Sequence, residues 1–358
     1  MKCFYAAATE AHDPQFRLTH GRLMHNSEQP ERARLLLKGL ASLDLSVEEP
    51  PEAPRAALEA VHSARFLEFL EGGYAAWQKL AKPGAEIVPN VIAQRAWAPY
   101  PDSIVARAGW HMGDTSAPMG PGSWQATRRA ADCAVAAADW ALSGAGPSYA
   151  LCRPPGHHTD RETAAGHCLM NVAAIAAERM RTRHDRVAIL DIDVHHGNGT
   201  QAIFYDRPDV LFISIHTDPN HFYPFYAGYA HETGAGDGEG MNLNMPLPPS
   251  TGDDEWLDAI EAALGRIAEF DPGALVVSLG LDSHENDPLK GMNVTFDGFT
   301  RAGRAIAGAN LPTAYIQEGG YLSPDLSTSL ASFLGGVIGT TPDPDRLTRQ
   351  PDSVETHR

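Results

Sequence analysis

Five short apolar runs constrain this chain more than any other feature: Tyr149–Cys152, Val187–Leu190, Val210–Ile215, Ala274–Leu279 and Thr313–Ile316. Each is nearly continuous in hydrophobicity instead of alternating, the pattern of a strand buried on both faces of a parallel sheet. Between them lie segments with helical character, Gln125–Leu142, Leu169–Arg181, Asp253–Glu269 and Phe296–Gly308. Strand alternating with helix predicts an α/β fold, a central and mostly parallel sheet flanked by helices. The 358 residues fit one such unit, since α/β folds often use this length for a single domain. We assign residues 1–341 to it and residues 342–358 to a flexible, solvated C-terminal tail. Ala56–Glu71 reads as a helix. Pro83–Gly122 is rich in Pro, Gly and aromatics without clear periodicity, and an irregular stretch of that length is usually functional.

Polar residues gather just after the strands. The first run leads into Arg-Pro-Pro-Gly-His157-His158, the second into Asp191-Ile-Asp193-Val-His195-His196-Gly-Asn198, and the third into His216. The fourth leads to Asp282-Ser-His284-Glu285 and the fifth to Glu318-Gly-Gly-Tyr321. Open α/β sheets bind ligands outside the carboxyl ends of their strands, so one rim should collect these groups. Asp193 and His195 are two residues apart and can point the same way. With Asp282 they would form a three-ligand set with open positions, the arrangement of a catalytic metal site. Its oxygen-rich character admits Mn²⁺, Fe²⁺ or Co²⁺ beside Zn²⁺. The plainer alternative is that Asp191 and Asp193 only cap a turn or helix. Paired histidines suit acid–base chemistry near neutrality. A tyrosine hydroxyl on a Gly-Gly turn suits a developing oxyanion.

Composition narrows the classes. Hydrophobic residues are 43% and charged residues 20%, which excludes a long disordered chain. The net charge of −17 argues against nucleic acid as a partner and is compatible with cationic ligands. The N-terminal apolar run is too short for a secretory signal, and no segment approaches a membrane span. Cys3, Cys133, Cys152 and Cys168 show no CxxC pairing, so a reducing cytoplasm is expected.

The motifs ALCRPPGHH, ILDIDVHHGNGTQAIFY, VVSLGLD and EGGY resemble the zinc-dependent histone deacetylase family and its bacterial acetylpolyamine amidohydrolase branch, from about residue 10 to about 340. That resemblance implies an arginase/deacetylase-like fold and one Zn²⁺ held by Asp193, His195 and Asp282. It makes His158 the general base and acid, His157 its electrostatic partner oriented by Asp191, and Tyr321 the donor to the substrate carbonyl. Asn198 stands where many deacetylases have an aspartate that orients the base, which should leave His158 less basic. A structural K⁺ or Na⁺ would use backbone oxygens of Asp191, Asp193, His195 and Ile215 with the Ser214 hydroxyl. His167, Tyr223 and Leu289 would wall the acyl channel, His167 where the family usually has an aromatic. Residues 74–122 would form the insertion that joins protomers into a homodimer or homotetramer and narrows the site. The acids that hold an ammonium tail there read instead as Val105 and Ser116, with Asp102 and Asp114 nearby. The distal ligand should therefore be less cationic, or meet Glu285 or Asp287.

The expected activity is metal-dependent removal of acyl groups, chiefly acetyl, from small amines or amides. The alternatives are a lysine deacylase acting on peptides or protein tails, a manganese ureohydrolase, and a non-catalytic metal-dependent binder of acylated amines.

Overall fold

The computed structural model describes residues 1–95 and 97–348. Among these residues are ten strands: β1 (Lys2–Phe4), β2 (Phe16–Thr19), β3 (Arg22–His25), β4 (Val47–Glu48), β5 (Ser148–Ala150), β6 (Val187–Asp191), β7 (Val210–Thr217), β8 (Asn242–Leu247), β9 (Ala274–Leu279) and β10 (Thr313–Gln317). Eight of them form one sheet in the order β4-β1-β5-β10-β9-β6-β7-β8. Every pairing in that sheet is parallel. β2 and β3 make a separate antiparallel hairpin.

The continuous apolar runs are explained by burial on both sides. Along β6, Val187 and Ile189 join a core with Val276 and Ile316, while Ala188 and Leu190 face the other core with Val277 and Tyr315. The first core is closed by helices Ser123–Leu142 and Val172–Arg181. Both helices are alanine-rich where they face it, which lets their backbones approach closely. The second core is closed by helices Glu31–Ser42, Asp253–Phe270, Phe296–Ala307 and Leu326–Ile338. Trp256 is fully buried there and meets Phe299 edge-on, ring centroids 5.6 Å apart.

Register fixes the site. Asp191 pairs with Ser214 on β7 and with Ser278 on β9. The chain two residues past Asp191 thus runs beside the chain two residues past Ser278, and Asp193 meets Gly280. A Cβ at Gly280 would fall on Asp193, so this crossing needs glycine.

Three details differ from the sequence expectations. The helix expected over Ala56–Glu71 is two helices, Arg55–Glu59 and Ala64–Trp77, because the Ser63 hydroxyl caps a new start by accepting from Phe66 N–H at 3.3 Å. Residues 83–122 contain a helix, Ile104–His111, too short for its period to stand out among the surrounding Pro and Gly. In the expected tail, Pro344–Thr348 is helical and held to the first long helix by Arg346 Nη1 donating to the Ala41 carbonyl at 2.8 Å. Residues 349–358 lie outside the described residues. No helix among the described residues is long and apolar enough to cross a membrane.

Candidate active site

The four central strands of the sheet, β5, β10, β9 and β6, are neighbours, and their carboxyl ends carry His157 and His158, Tyr321, Asp282, and Asp193 with His195. Asp193, His195 and Asp282 are buried, and one ligand atom from each lies within 4.8 Å of the others. His195 Nδ1 stands 2.9 Å from Asp193 Oδ1 and 3.2 Å from Asp282 Oδ2. Asp282 Oδ2 is buried without a well-aligned hydrogen bond. A Cβ at Gly319 would fall on Asp282 Oδ2 and Asp193 Oδ2, so the backbone leaves a cradle around both carboxylates. Two carboxylates and one imidazole nitrogen at this separation suit a divalent ion, whose bonds to N and O ligands run about 2.0–2.2 Å.

Electrostatics agree. Against the penalty of burial, Asp193 and Asp282 lift the His195 imidazole to about 9. Burial and the charge of Asp193 raise Asp282. Two anions and one ring in a dry site are a strong demand for positive charge.

His157 and His158 pack with ring centroids 4.0 Å apart and have opposite environments. Burial opposes charge on His157, but Asp193 and Asp191 overcome it and lift the ring to about 10; its Nδ1 lies 3.0 Å from Asp191 Oδ2. His158 is held well below the ordinary imidazole range by burial, then by His157 and His195. Its Nδ1 is 2.7 Å from Asn198 Oδ1. An amide oxygen only accepts, so Nδ1 carries the proton and Nε2 keeps a lone pair.

Tyr321 is placed by a network that sequence reasoning missed. Arg32 is fully buried; its Nε donates to the Gly320 carbonyl and its Nη2 to the Glu318 carbonyl, each at 2.6 Å. The guanidinium lies 4.9 Å from the Tyr321 ring centre. Gly320 has φ +108°, which only glycine adopts readily. Burial keeps the Tyr321 phenol protonated, well above its usual range, despite Arg32. Glu318 also holds the histidine pair: its Oε2 accepts from Gly156 N–H at 2.6 Å and His157 N–H at 3.0 Å. Glu318 stands in the EGGY turn, but nothing in that string announced a clamp on a distant loop.

A cavity of about 460 Å³ opens over these groups, lined by His158, His195 and Tyr321 and, as expected, by His167, Tyr223 and Leu289. Its other walls, Arg17, Leu18, Thr19 and His20 from the hairpin and Phe222 after β7, were not expected. Phe222 stacks on His195 at 4.9 Å. Ser214 is buried next to the Asp191 strand, with its hydroxyl 2.9 Å from His216 Nδ1. His216 itself faces the Gly228 carbonyl, 2.8 Å from Nε2, and His284 stacks on Phe296 at 4.6 Å; neither lines the cavity. Asp287 does not wait for a ligand: it accepts from Leu289 N–H and Tyr321 N–H, both at 2.8 Å. Asp114 is also engaged, by Gly166 N–H, Ser116 N–H and the Tyr223 hydroxyl. Glu285 is exposed and outside the cavity.

Comparison with known proteins identifies the family. The histone deacetylase domain model matches residues 26–337. The acetylpolyamine amidohydrolase of Burkholderia pseudomallei is 41% identical over 337 residues, covering 94% of this chain and 98% of the relative. Acetylpolyamine amidohydrolase 1 of Pseudomonas aeruginosa is 39% identical, covering 95% and 99%. A crystal structure of the Burkholderia pseudomallei acetylpolyamine aminohydrolase superposes with a TM-score of 0.91, at 41% identity and 94% and 98% coverage. With its parallel sheet, its strand-end cluster of Asp193, His195 and Asp282 and these matches, the chain belongs to the histone deacetylase family.

Proposed function

We propose that this protein is a zinc-dependent amidohydrolase that removes acetyl groups from small, linear acylated amines, the class to which the names of its relatives point. The carrying observation is the buried cluster of Asp193, His195 and Asp282, whose His195 opens onto one cavity beside a neutral His158 and Tyr321. A Zn²⁺ held by those three residues would supply Lewis acidity to the amide carbonyl and lower the pKa of a bound water. His158 Nε2 takes the proton of the attacking water. The Tyr321 hydroxyl donates to the acyl oxygen as negative charge develops. The protonated histidine then gives its proton to the departing amine nitrogen. His157, cationic between Asp191 and Asp193, holds the field around the pair. These groups exceed what a binder of acylated amines needs, and the small, hairpin-walled cavity favours slender substrates over folded proteins.

We propose two further features of the protein. A K⁺ or Na⁺ bound by backbone oxygens of Asp191, Asp193, His195 and Ile215 with the Ser214 hydroxyl would brace the ligand strand. Residues 74–122 would join copies into a dimer or tetramer, supported by Val91, Ile92 and Trp97, exposed by 77%, 50% and 87%. Trp97→Glu is expected to dissociate the assembly in sedimentation velocity; a chain monomeric before the substitution overturns that role. Four buried free cysteines accord with a reducing cytoplasm.

The hydrolytic reading is tested by following acetate release from N-acetylputrescine and an acetyl-lysine peptide. Dialysis against a chelator should abolish release, and Zn²⁺ should restore it more fully than Mn²⁺. Turnover that survives complete metal removal overturns the reading.

A further inference from the structure

We infer that the amine half of the substrate ends in a carboxylate, so that the preferred substrate is an N-acetyl-ω-amino acid rather than an acetylpolyamine; this rests on the hydrolytic reading above and narrows it. Among the described residues no Asp or Glu lines the cavity, in a chain with a net charge of −17. Its ionisable lining beyond the catalytic groups is instead Arg17, His20, His167, His221 and Tyr223, with Thr19 and Ser116 as neutral polar residues.

Arg17 lines this cavity from the hairpin. Arg32 pairs with Glu28, Arg65 with Glu162 and Arg207 with Glu178 and Asp209, and Arg95 and Arg107, without ion pairs among the described residues, donate to the Trp110 and Pro101 carbonyls. Arg17 has no ion pair and no side-chain hydrogen bond among the described residues, and its Nε is buried without a partner. A buried guanidinium nitrogen left unpaired is costly, and the cost is removed when a ligand accepts from it. Asp114 and Asp287 are engaged by the groups described above, and Glu86 Oε1 accepts from Gln15 N–H at 3.0 Å while its Oε2 has no partner.

The hairpin that carries Arg17 is fixed to the site. Asn26 Nδ2 donates to the Phe16 carbonyl at 3.1 Å and to the Ser116 carbonyl at 3.4 Å, and that carbonyl also accepts from His167 at 2.9 Å. Arg17 also helps to keep the His167 ring, next to it in the cavity, down at about 3, after the larger effect of burial. A guanidinium offers a planar pair of donors matched to a carboxylate. An ammonium tail would meet the same cation with no counter-charge.

The test compares kcat/KM for 4-acetamidobutyrate and 6-acetamidohexanoate with N-acetylputrescine and N-acetylcadaverine on the zinc-loaded protein. The acids should be preferred by about 10- to 100-fold, the range of one charge-assisted hydrogen-bonded pair. Arg17→Gln should remove most of that preference through KM, and Arg17→Glu should turn it toward the amines. A calorimetric arm uses two hydroxamates of equal length, one ending in a carboxylate and one in an ammonium group; the carboxylate form should bind more tightly, and less so in Arg17→Gln. Preference for the amines, or preference for the acids that Arg17→Glu leaves unchanged, overturns the inference while the amidohydrolase stands. If no amide is hydrolysed, the hydrolytic reading falls, and the hydroxamate ratio alone decides the anion site.

Discussion

Substitution of His158 by alanine is expected to lower kcat/KM for acetyl-amide hydrolysis by about 10²- to 10⁴-fold, the usual contribution of a positioned general base, with zinc content and Tm unchanged. His158 is not among the proposed ligands, so metal analysis separates loss of the base from loss of the ion. Its Nδ1 proton is committed to Asn198 Oδ1 at 2.7 Å, which leaves Nε2 as the only basic atom of the ring. The pH dependence follows with a definite sign. Burial, His157 and His195 depress His158, so the neutral, active form persists as pH falls below the ordinary imidazole range. The acid limb of kcat/KM should therefore lie below about pH 6.5. Asn198→Asp places a carboxylate against the same nitrogen, stabilises imidazolium and should move that limb to higher pH. Full activity in His158→Ala, or an acid limb unmoved in Asn198→Asp, would remove His158 from its role.

The strands that carry the candidate site were readable because burial on both faces leaves a continuous apolar run, and the candidate residues were readable because ligands collect where such runs end. The runs Val187–Leu190 and Ala274–Leu279 agree with β6 and β9 to within a residue, and the groups after them converge. The remaining strands carried no such signal. β1 has three residues and β4 two, both of the latter exposed. β8 is an edge strand interrupted by Pro246, and proline ordinarily argues against a strand. The hairpin β2–β3 is half-buried at best, with Leu23 exposed by 70%. The cavity mouth was illegible for that reason: Arg17 and His20 reach it across more than a hundred residues of chain from His158. Glu285 and Asp287 were the alternative carboxylates expected to meet the distal end of a ligand. Asp287 is instead consumed by backbone N–H groups, which sequence distance cannot reveal.

Tyr321→Phe is expected to lower kcat by about 10²- to 10³-fold, the cost of deleting one donor to a developing oxyanion, with little change in KM. The substitution removes one oxygen and keeps the ring, so the contact with Arg32 and the packing near His167 at 5.6 Å survive. Folding should barely respond, because the hydroxyl has no protein partner among the described residues; its work is left for the substrate. The phenol qualifies as a donor throughout the working pH range, since burial holds it protonated well above its usual value. Stabilisation confined to the transition state is lost from kcat and kcat/KM alike. A rise in KM at constant kcat would instead mark Tyr321 as a residue that only binds ground-state substrate. Arg32→Met separates position from chemistry: the hydroxyl remains, but the Gly320 and Glu318 carbonyls lose their donor, so the turn should loosen and kcat should fall by less than in Tyr321→Phe. The two variants combined should cost little more than Tyr321→Phe alone, because a positioning residue has nothing left to position. Full additivity would give Arg32 a separate role.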